Sequence, residues 1–245
     1  MSDERSYPAT GASFPGQGTG ASSPVTPGNG SALGQEEESR RPRRKGRVRV
    51  PKLPEEFIEA AFQVCSAEGP DAITARRVAR QMNVSAMAMY RHFQNMDHLK
   101  AATRNLGFAR LSDALTEVYT SAKDPQDQLR RAFKAYVSFA QSYPGVYLLM
   151  FATGPGPEQF GEENLGIQAA QQLMNIIVSS LGLVPPQSDP ETEKAVFYAW
   201  FLLHGLTVFA ISGIKDRLTS MPIDDLIEAC VDRLMRSFSN EPPQQ

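Results

Sequence analysis

Histidines and cysteines are few among the 245 residues, and their spacing argues against covalent or metal chemistry. None of the three histidines, His92, His98 and His204, has a metal-ligand or triad neighbour in the sequence. Cys65 and Cys230 lie far apart with no CxxC or Cys/His spacing, which suggests neither a disulfide nor a zinc site and fits a reducing compartment. Gly154-Pro155-Gly156-Pro157 is too proline-rich to present the row of N–H groups that a phosphate loop needs. Neither an enzyme nor a cofactor or metal is expected. Polyanion chemistry is better represented. The run RRPRRKGRVR at residues 40–49 holds Arg43, Arg44, Lys45 and Arg47, and the stretch NVSAMAMYRHF at 83–93 has the spacing of a short helix behind a tight turn. Alanine and methionine dominate the face of that helix, so the question is what such a face can read.

Charge is divided unevenly along the chain. Residues 1–39 carry one basic and five acidic side chains, residues 40–109 carry fourteen against six, and residues 110–245 carry ten against sixteen. A segment of net charge +8 joined to an acidic body is expected where one part of a molecule meets a polyanion. The opening MSDERSYPATG lacks the basic and apolar regions of a secretory signal, which predicts a cytoplasmic protein. With seven Gly, four Pro and seven Ser in residues 1–39, the first 48 residues are expected to be a disordered tail ending in a basic arm.

From Pro54 the pattern is helical. Pro54, Glu55 and Glu56 suit a helix N-terminus, Phe57, Ile58, Ala61, Phe62 and Cys65 form an apolar stripe, and Gly69-Pro70 ends it. Further helices are expected at about 75–82, 86–92, after Asn95, and at 103–121, 125–141, 144–152, 162–182, 190–213 and 223–238. No stretch alternates with the period of a strand. The expected fold is all-α, with a small basic helical domain at 49–104, a larger acidic one at 105–240 and a tail at 241–245.

Two short helices meet at residues 73–99. Ile73, Val78, Ala79, Met82, Val84, Met89, Phe93 and Leu99 lie where a steep crossing buries them, and Ala79 is small where the helices approach. Asn83 tolerates the left-handed backbone that ends a helix, and Ser85 is placed to cap the next. This is a helix-turn-helix, whose second helix enters the DNA major groove. On Thr74 to Ala79, Val84-Ser85, Tyr90-Arg91-His92-Phe93 and Asn95 to Leu99, residues 54–105 resemble the tetracycline-repressor (TetR) family of transcriptional regulators. Farther on, the sequence from Ala140 to Tyr147, with His204-Gly205, looks like one regulatory-domain type of that family. Two positions depart from the family habit: Asn83 stands for its usual glycine, and Met96 for a phosphate-contacting lysine worth about one unit of salt slope. The basic run at 40–49 is placed to restore that charge from the minor groove.

The resemblance implies that Ala86, Met87, Ala88 and Arg91 face the groove, that Ser85, Tyr90 and His92 point at phosphates, and that Thr74, Ala75 and Arg76 meet phosphate from the preceding helix. It also implies a homodimer, with the helices at 162–182 and 190–213 expected at the interface, and a small-molecule effector site. Candidate pocket residues are Phe139, Tyr143, Tyr147, Met150, Phe151, Trp200 and His204, each of which also reads as core. Few charges in that set favour an apolar or aromatic effector. The uncharged segment 195–214 is long enough to span a bilayer but reads better as a central or interface helix, so no membrane is expected. The expected function is a dimeric regulator of double-stranded DNA, in family habit a repressor. The competing reading is a helical protein-binding adaptor, which leaves the basic segment unexplained.

Overall fold

The computed structural model describes residues 53–183 and 189–238. The expectations for the tails, and for Arg43, Arg44, Lys45 and Arg47, lie outside the described residues. Helix α1 (Pro54–Glu68) begins with proline at its first position, and the Glu56 carboxylate accepts the Leu53 N–H at 2.9 Å, supplying an acceptor before the first turn. Its stripe of Phe57, Ala61, Phe62 and Cys65 is fully buried, while Ile58 is half-buried. Gly69 ends it at φ 88°, and a turn of 3-10 helix (Pro70–Ala72) leads to α2 (Ala75–Gln81), capped by the Thr74 hydroxyl on Arg77 N–H at 3.2 Å.

The next segment, Ala86–Arg91, is helical where expected but is a 3-10 helix. Beyond it, Asn95 accepts the His98 N–H at 2.9 Å and caps α3 (Met96–Ser121). The helices expected after Asn95 and at 103–121 are this one 26-residue helix. Gly107 lies in its buried face, and a Cβ there would come within 2.9 Å of both the Met150 sulfur and Val146. The border expected at 104–105 falls inside α3, so the head and the body share one rod.

Four helices complete the inner body: α4 (Pro125–Ser142), α5 (Pro144–Met150), α6 (Leu165–Ser180) and α7 (Pro190–Ile211). Asp124 and Asp189 cap α4 and α7 through side-chain oxygens, and proline opens each. A single turn, α8 (Lys215–Leu218), precedes α9 (Ile223–Phe238), which buries Ile227, Val231 and Leu234. Arg130 and Lys134 on α4 both pair with Glu228 on α9. No strand occurs among the described residues, in keeping with the all-α reading.

Head and body meet tightly at α1 and α5. A Cβ on Gly145 would overlap the Cys65 carbonyl oxygen and lie 3.1 Å from the Gly69 Cα, so only glycine allows this approach. Beside it the Phe62 and Tyr143 rings meet edge to face at 5.1 Å, and Arg110 lies over Phe62 at 4.1 Å while holding Glu59 at 2.6 Å.

In α6, a helix expected at the interface, the stripe Ala169, Leu173, Ile176 and Ile177 is buried within the subunit and Leu165 is half-buried. What α6 turns outward is mostly amide: Gln168, Gln171 and Asn175, with Ile167. Helix α7 is not central either. Its inner side buries Thr192, Ala195, Val196, Ala199, Leu203 and Thr207, but only 28% of its most apolar window is covered. Phe197, Tyr198, Phe201, Gly205 and Val208 face outward, Phe201 at 64% exposure.

Candidate functional site

The turn between α2 and the 3-10 helix is built from backbone bonds. Met82 and Val84 donate to Val78 and Ala79 carbonyls at 3.1 and 2.9 Å, and Asn83 takes φ 54°, a conformation that asparagine accepts at lower cost than most side chains. Val78, Ala79, Met89 and Phe93 are buried beneath it, with Met82 and Val84 half-buried. This frame leaves Met87 71% exposed and Tyr90 46% exposed, with Ser85, Arg91 and His92 also outward and Ala86 and Ala88 between.

Two local expectations change. Ser85 makes no cap bond, because the Ala88 N–H that its hydroxyl would serve bonds to the Ser85 carbonyl at 2.9 Å, as the three-residue period of a 3-10 turn requires. The same period aligns Met87 with Tyr90 and places Arg91 beside Ala88, where an α-helix would have aligned Met87 with Arg91. His92 is exposed with its ring tilted 5.7 Å from Phe57.

Thr74, Ala75 and Arg76 sit at the start of α2, with Thr74 and Arg76 exposed. Arg77 is spent inside the head: its Nε and Nη2 donate to Glu68 at 2.8 and 2.5 Å, and Nη1 donates to Gln81 at 3.0 Å. That partner holds the Glu68 carboxyl below its usual range. Arg76, Arg80 and Arg91 are exposed.

His98, just beyond the recognition segment, was not singled out as a site by its neighbours in the sequence. Its Nδ1 accepts the Gln94 N–H at 3.2 Å, so Nδ1 carries no proton, and its Nε2 meets Glu162 Oε1 at 2.9 Å. The ring stacks on Phe160 at 4.6 Å and meets Phe93 edge-on at 5.2 Å. A carboxylate–imidazole pair is thus present, but both nitrogens are occupied: Nδ1 bonds within the head, and Nε2 ties the head to Glu162 in the loop after the turn Pro157–Phe160. The pairing spans 64 residues, too far for any spacing rule to show.

Inside the body a cavity of about 320 Å³ opens between α3, α4, α6 and α7, and a second of about 260 Å³ adjoins it. Ala170, Leu173 and Trp200 line both. Of the expected pocket residues, Met150, Phe151 and Trp200 reach the first chamber. Tyr147 and His204 stand behind it: the Tyr147 hydroxyl is 2.7 Å from His204 Nδ1 and 3.5 Å from the hydroxyl of Tyr136, a lining residue. Burial pushes both phenols up, so they stay protonated, and burial alone pushes His204 down. Phe139 and Tyr143 line neither chamber; their rings meet at a tilt of 57° with centroids 5.4 Å apart, and Tyr143 lies against Phe62. The physical reason is position along α4: Phe139 lies a turn beyond Tyr136, the lining residue, and packs with Tyr143 towards Phe62 of α1.

Arg104 and Tyr136 are lining residues that sequence reasoning missed. Arg104 reads as an ordinary surface cation until the loop after α5 folds over it.

Two family models match the chain: "Bacterial regulatory proteins, tetR family" over residues 57–103 and "Tetracyclin repressor-like, C-terminal domain" over 129–237. An uncharacterised HTH-type transcriptional regulator of Mycobacterium tuberculosis is 26% identical over 165 residues, 66% of this chain and 72% of that protein. A Rhodococcus sp. RHA1 protein of unknown function superposes with a TM-score of 0.65 at 22% identity, covering 80% of this chain and all of the other. BioQ, solved with its double-stranded DNA operator, superposes at 0.50 with 19% identity over 76% of this chain and 99% of its own. With the first model on the turn motif and the second on the cavity-bearing body, the chain is a transcriptional regulator of the TetR family, its DNA-binding domain at the head.

Proposed function

We propose that the protein is a homodimeric, sequence-specific repressor that binds a partly palindromic operator and leaves it when a small, largely apolar or aromatic molecule fills the body cavity. The observation that carries this is one rod, α3, joining an outward recognition segment to a cavity wall. BioQ's complex with an operator adds that the fold is compatible with duplex DNA. On this reading Ala86, Met87, Ala88 and Arg91 face bases, while Thr74, Ala75, Arg76, Ser85, Tyr90 and His92 lie towards phosphates. Alanine and methionine cannot donate to guanine but pack on thymine methyls, which leaves Arg91 as the hydrogen-bonding base reader and favours T-rich half-sites. Arg43, Arg44, Lys45 and Arg47 supply sequence-independent affinity. The protein acts in the cytoplasm, where the duplex is.

Dimerisation is proposed through α7, whose outward face is apolar, rather than through the amide face of α6. Gly205 supports this: it sits mid-helix on that face, and nothing lies within 4 Å of a Cβ built there. A helix-interior glycine with no close neighbour in its own subunit fits a second helix crossing closely.

The test is a mobility-shift titration on genomic operator fragments across salt, with light scattering alongside. A specific duplex bound as a dimer, with affinity falling steeply as salt rises, is the expected result. Met87→Ala and thymine-to-uracil replacement should each weaken binding at particular bases, whereas deleting residues 40–49 should weaken it on all sequences. Equal, weak binding to random and genomic DNA, or a monomer at micromolar concentration, refutes the proposal.

A further inference from the structure

We infer that the cavity takes a monoanionic amphiphile: a carboxylate at Arg104, with an unbranched apolar tail passing Trp200 into the second chamber. This rests on the reading of the cavity as the effector site and specifies its ligand.

Arg104 is the cationic side chain in the lining of either chamber. It is half-buried, and its guanidinium is fixed by two carbonyls, Nε donating to Leu149 at 3.1 Å and Nη1 to Pro155 at 3.3 Å. No carboxylate lies within ion-pair distance of it among the described residues, and three of its five N–H groups have no acceptor there. A fixed, part-desolvated guanidinium with open N–H groups suits one planar carboxylate. A doubly charged head is disfavoured, because one cation cannot balance it and Glu158 already adds negative field at Arg104. Asn164, in the wall of the same chamber, is a polar side chain already held in place, its Nδ2 donating to Glu158 at 3.1 Å and its Oδ1 accepting the Gly166 N–H at 3.0 Å.

The other end has no such group. Beyond Ala170, Leu173 and Trp200, the second chamber is closed by Met174, Ile177, Val196 and Phe197, all apolar. Two chambers sharing one wall, polar at one end and apolar at the other, match a head and tail better than a compact aromatic. Their volumes together lie in the range of ordinary ligand pockets, roughly 300–1,000 Å³.

Trp200 is the single tryptophan of the chain and touches both chambers, so its fluorescence reports occupancy directly. The full-length protein is titrated with sodium decanoate, methyl decanoate, decylamine and decyl phosphate below their micelle thresholds. Decanoate should bind at least tenfold more tightly than the other three. Arg104→Met should abolish the preference for decanoate over the ester while leaving ester binding intact, which also shows that the variant is folded. Val196→Phe should weaken dodecanoate far more than hexanoate. Equal binding of acid and ester by the unmodified protein, or retention of the preference in Arg104→Met, overturns the carboxylate site. Equal loss at all chain lengths in Val196→Phe overturns the tail route. If Arg104→Met fails to fold, the acid–ester comparison on the unmodified protein decides. Should decanoate bind as expected yet leave operator affinity unchanged, the regulatory reading falls and the site stands. Should a neutral aromatic release the operator while acid and ester bind alike, the site falls and the regulatory reading stands.

Discussion

Replacing Gly205 by alanine gives opposite signs in a monomer and in an α7-paired dimer. Within the subunit the new methyl meets nothing within 4 Å, so only helix propensity changes. Glycine is about 0.8–1 kcal/mol worse than alanine in a helix interior, so an isolated subunit gains about 1 kcal/mol. For a chain of this size that raises Tm by about 2–4 °C. If two α7 helices cross at Gly205, each methyl instead enters a filled contact, at about 1–3 kcal/mol of overpacking apiece. Two such costs exceed two propensity gains by up to about 4 kcal/mol per dimer, and each 1.4 kcal/mol raises the dissociation constant about tenfold. The assay is sedimentation equilibrium from sub-micromolar to tens of micromolar protein, with thermal unfolding at both extremes. Gly205→Ala should melt higher than the parent when dilute and lower when concentrated. A variant that melts higher at every concentration and dimerises unchanged refutes a close crossing at this position.

Gly145→Ala forces a methyl into the Cys65 carbonyl and must separate α1 from α5. A loss of about 1–3 kcal/mol is expected by urea titration, together with weakened operator binding; an unchanged midpoint would show that the junction yields freely. His98→Phe keeps the stack on Phe160 but leaves the Gln94 N–H without its acceptor, for about 1–3 kcal/mol, whereas Glu162→Gln retains an oxygen for Nε2–H and should cost much less. Equal losses in the two variants would contradict the assigned tautomer. Burial holds His204 below its unfolded value of 6.5, so the unfolded chain binds more protons in that window and stability falls as pH drops through about 6.5 towards the folded pKa. Melting curves across that range should show a shallower acid limb in His204→Gln, and superimposable limbs would exclude the contribution.

The head was legible because its constraints are local. Thr74, Asn83, Asn95 and the buried pair Met89 and Phe93 each act within about one turn of their own position, and each is where its residue type suggests. The 3-10 period of Ala86–Arg91 was not legible, since six residues of helix-forming type satisfy either period and the choice follows from the turns at both ends. Helix α6 is ambiguous in the sequence because an apolar stripe opposite glutamines describes an interface and a core helix equally well, and packing against α3 and α4 is what buries the stripe. The cavity was half visible: Met150, Phe151 and Trp200 announced themselves as large and apolar, but Arg104 owes its place to carbonyls 45 and 51 residues away.

The stretch after α5 serves two masters. Pro157 and Asn164 form cavity wall, while Phe160 and Glu162, lying between them, grip the imidazole at the foot of the recognition segment. A molecule that binds more tightly to one arrangement of this segment than to another must shift the grip on His98 by the same free energy, and DNA that favours one grip must shift the molecule's affinity in return. Reciprocity between the two ends therefore needs no long relay of side chains. It can be carried by a segment of eight residues, and its strength is measurable as a single number: the ratio of cavity affinities with and without the fastening to His98.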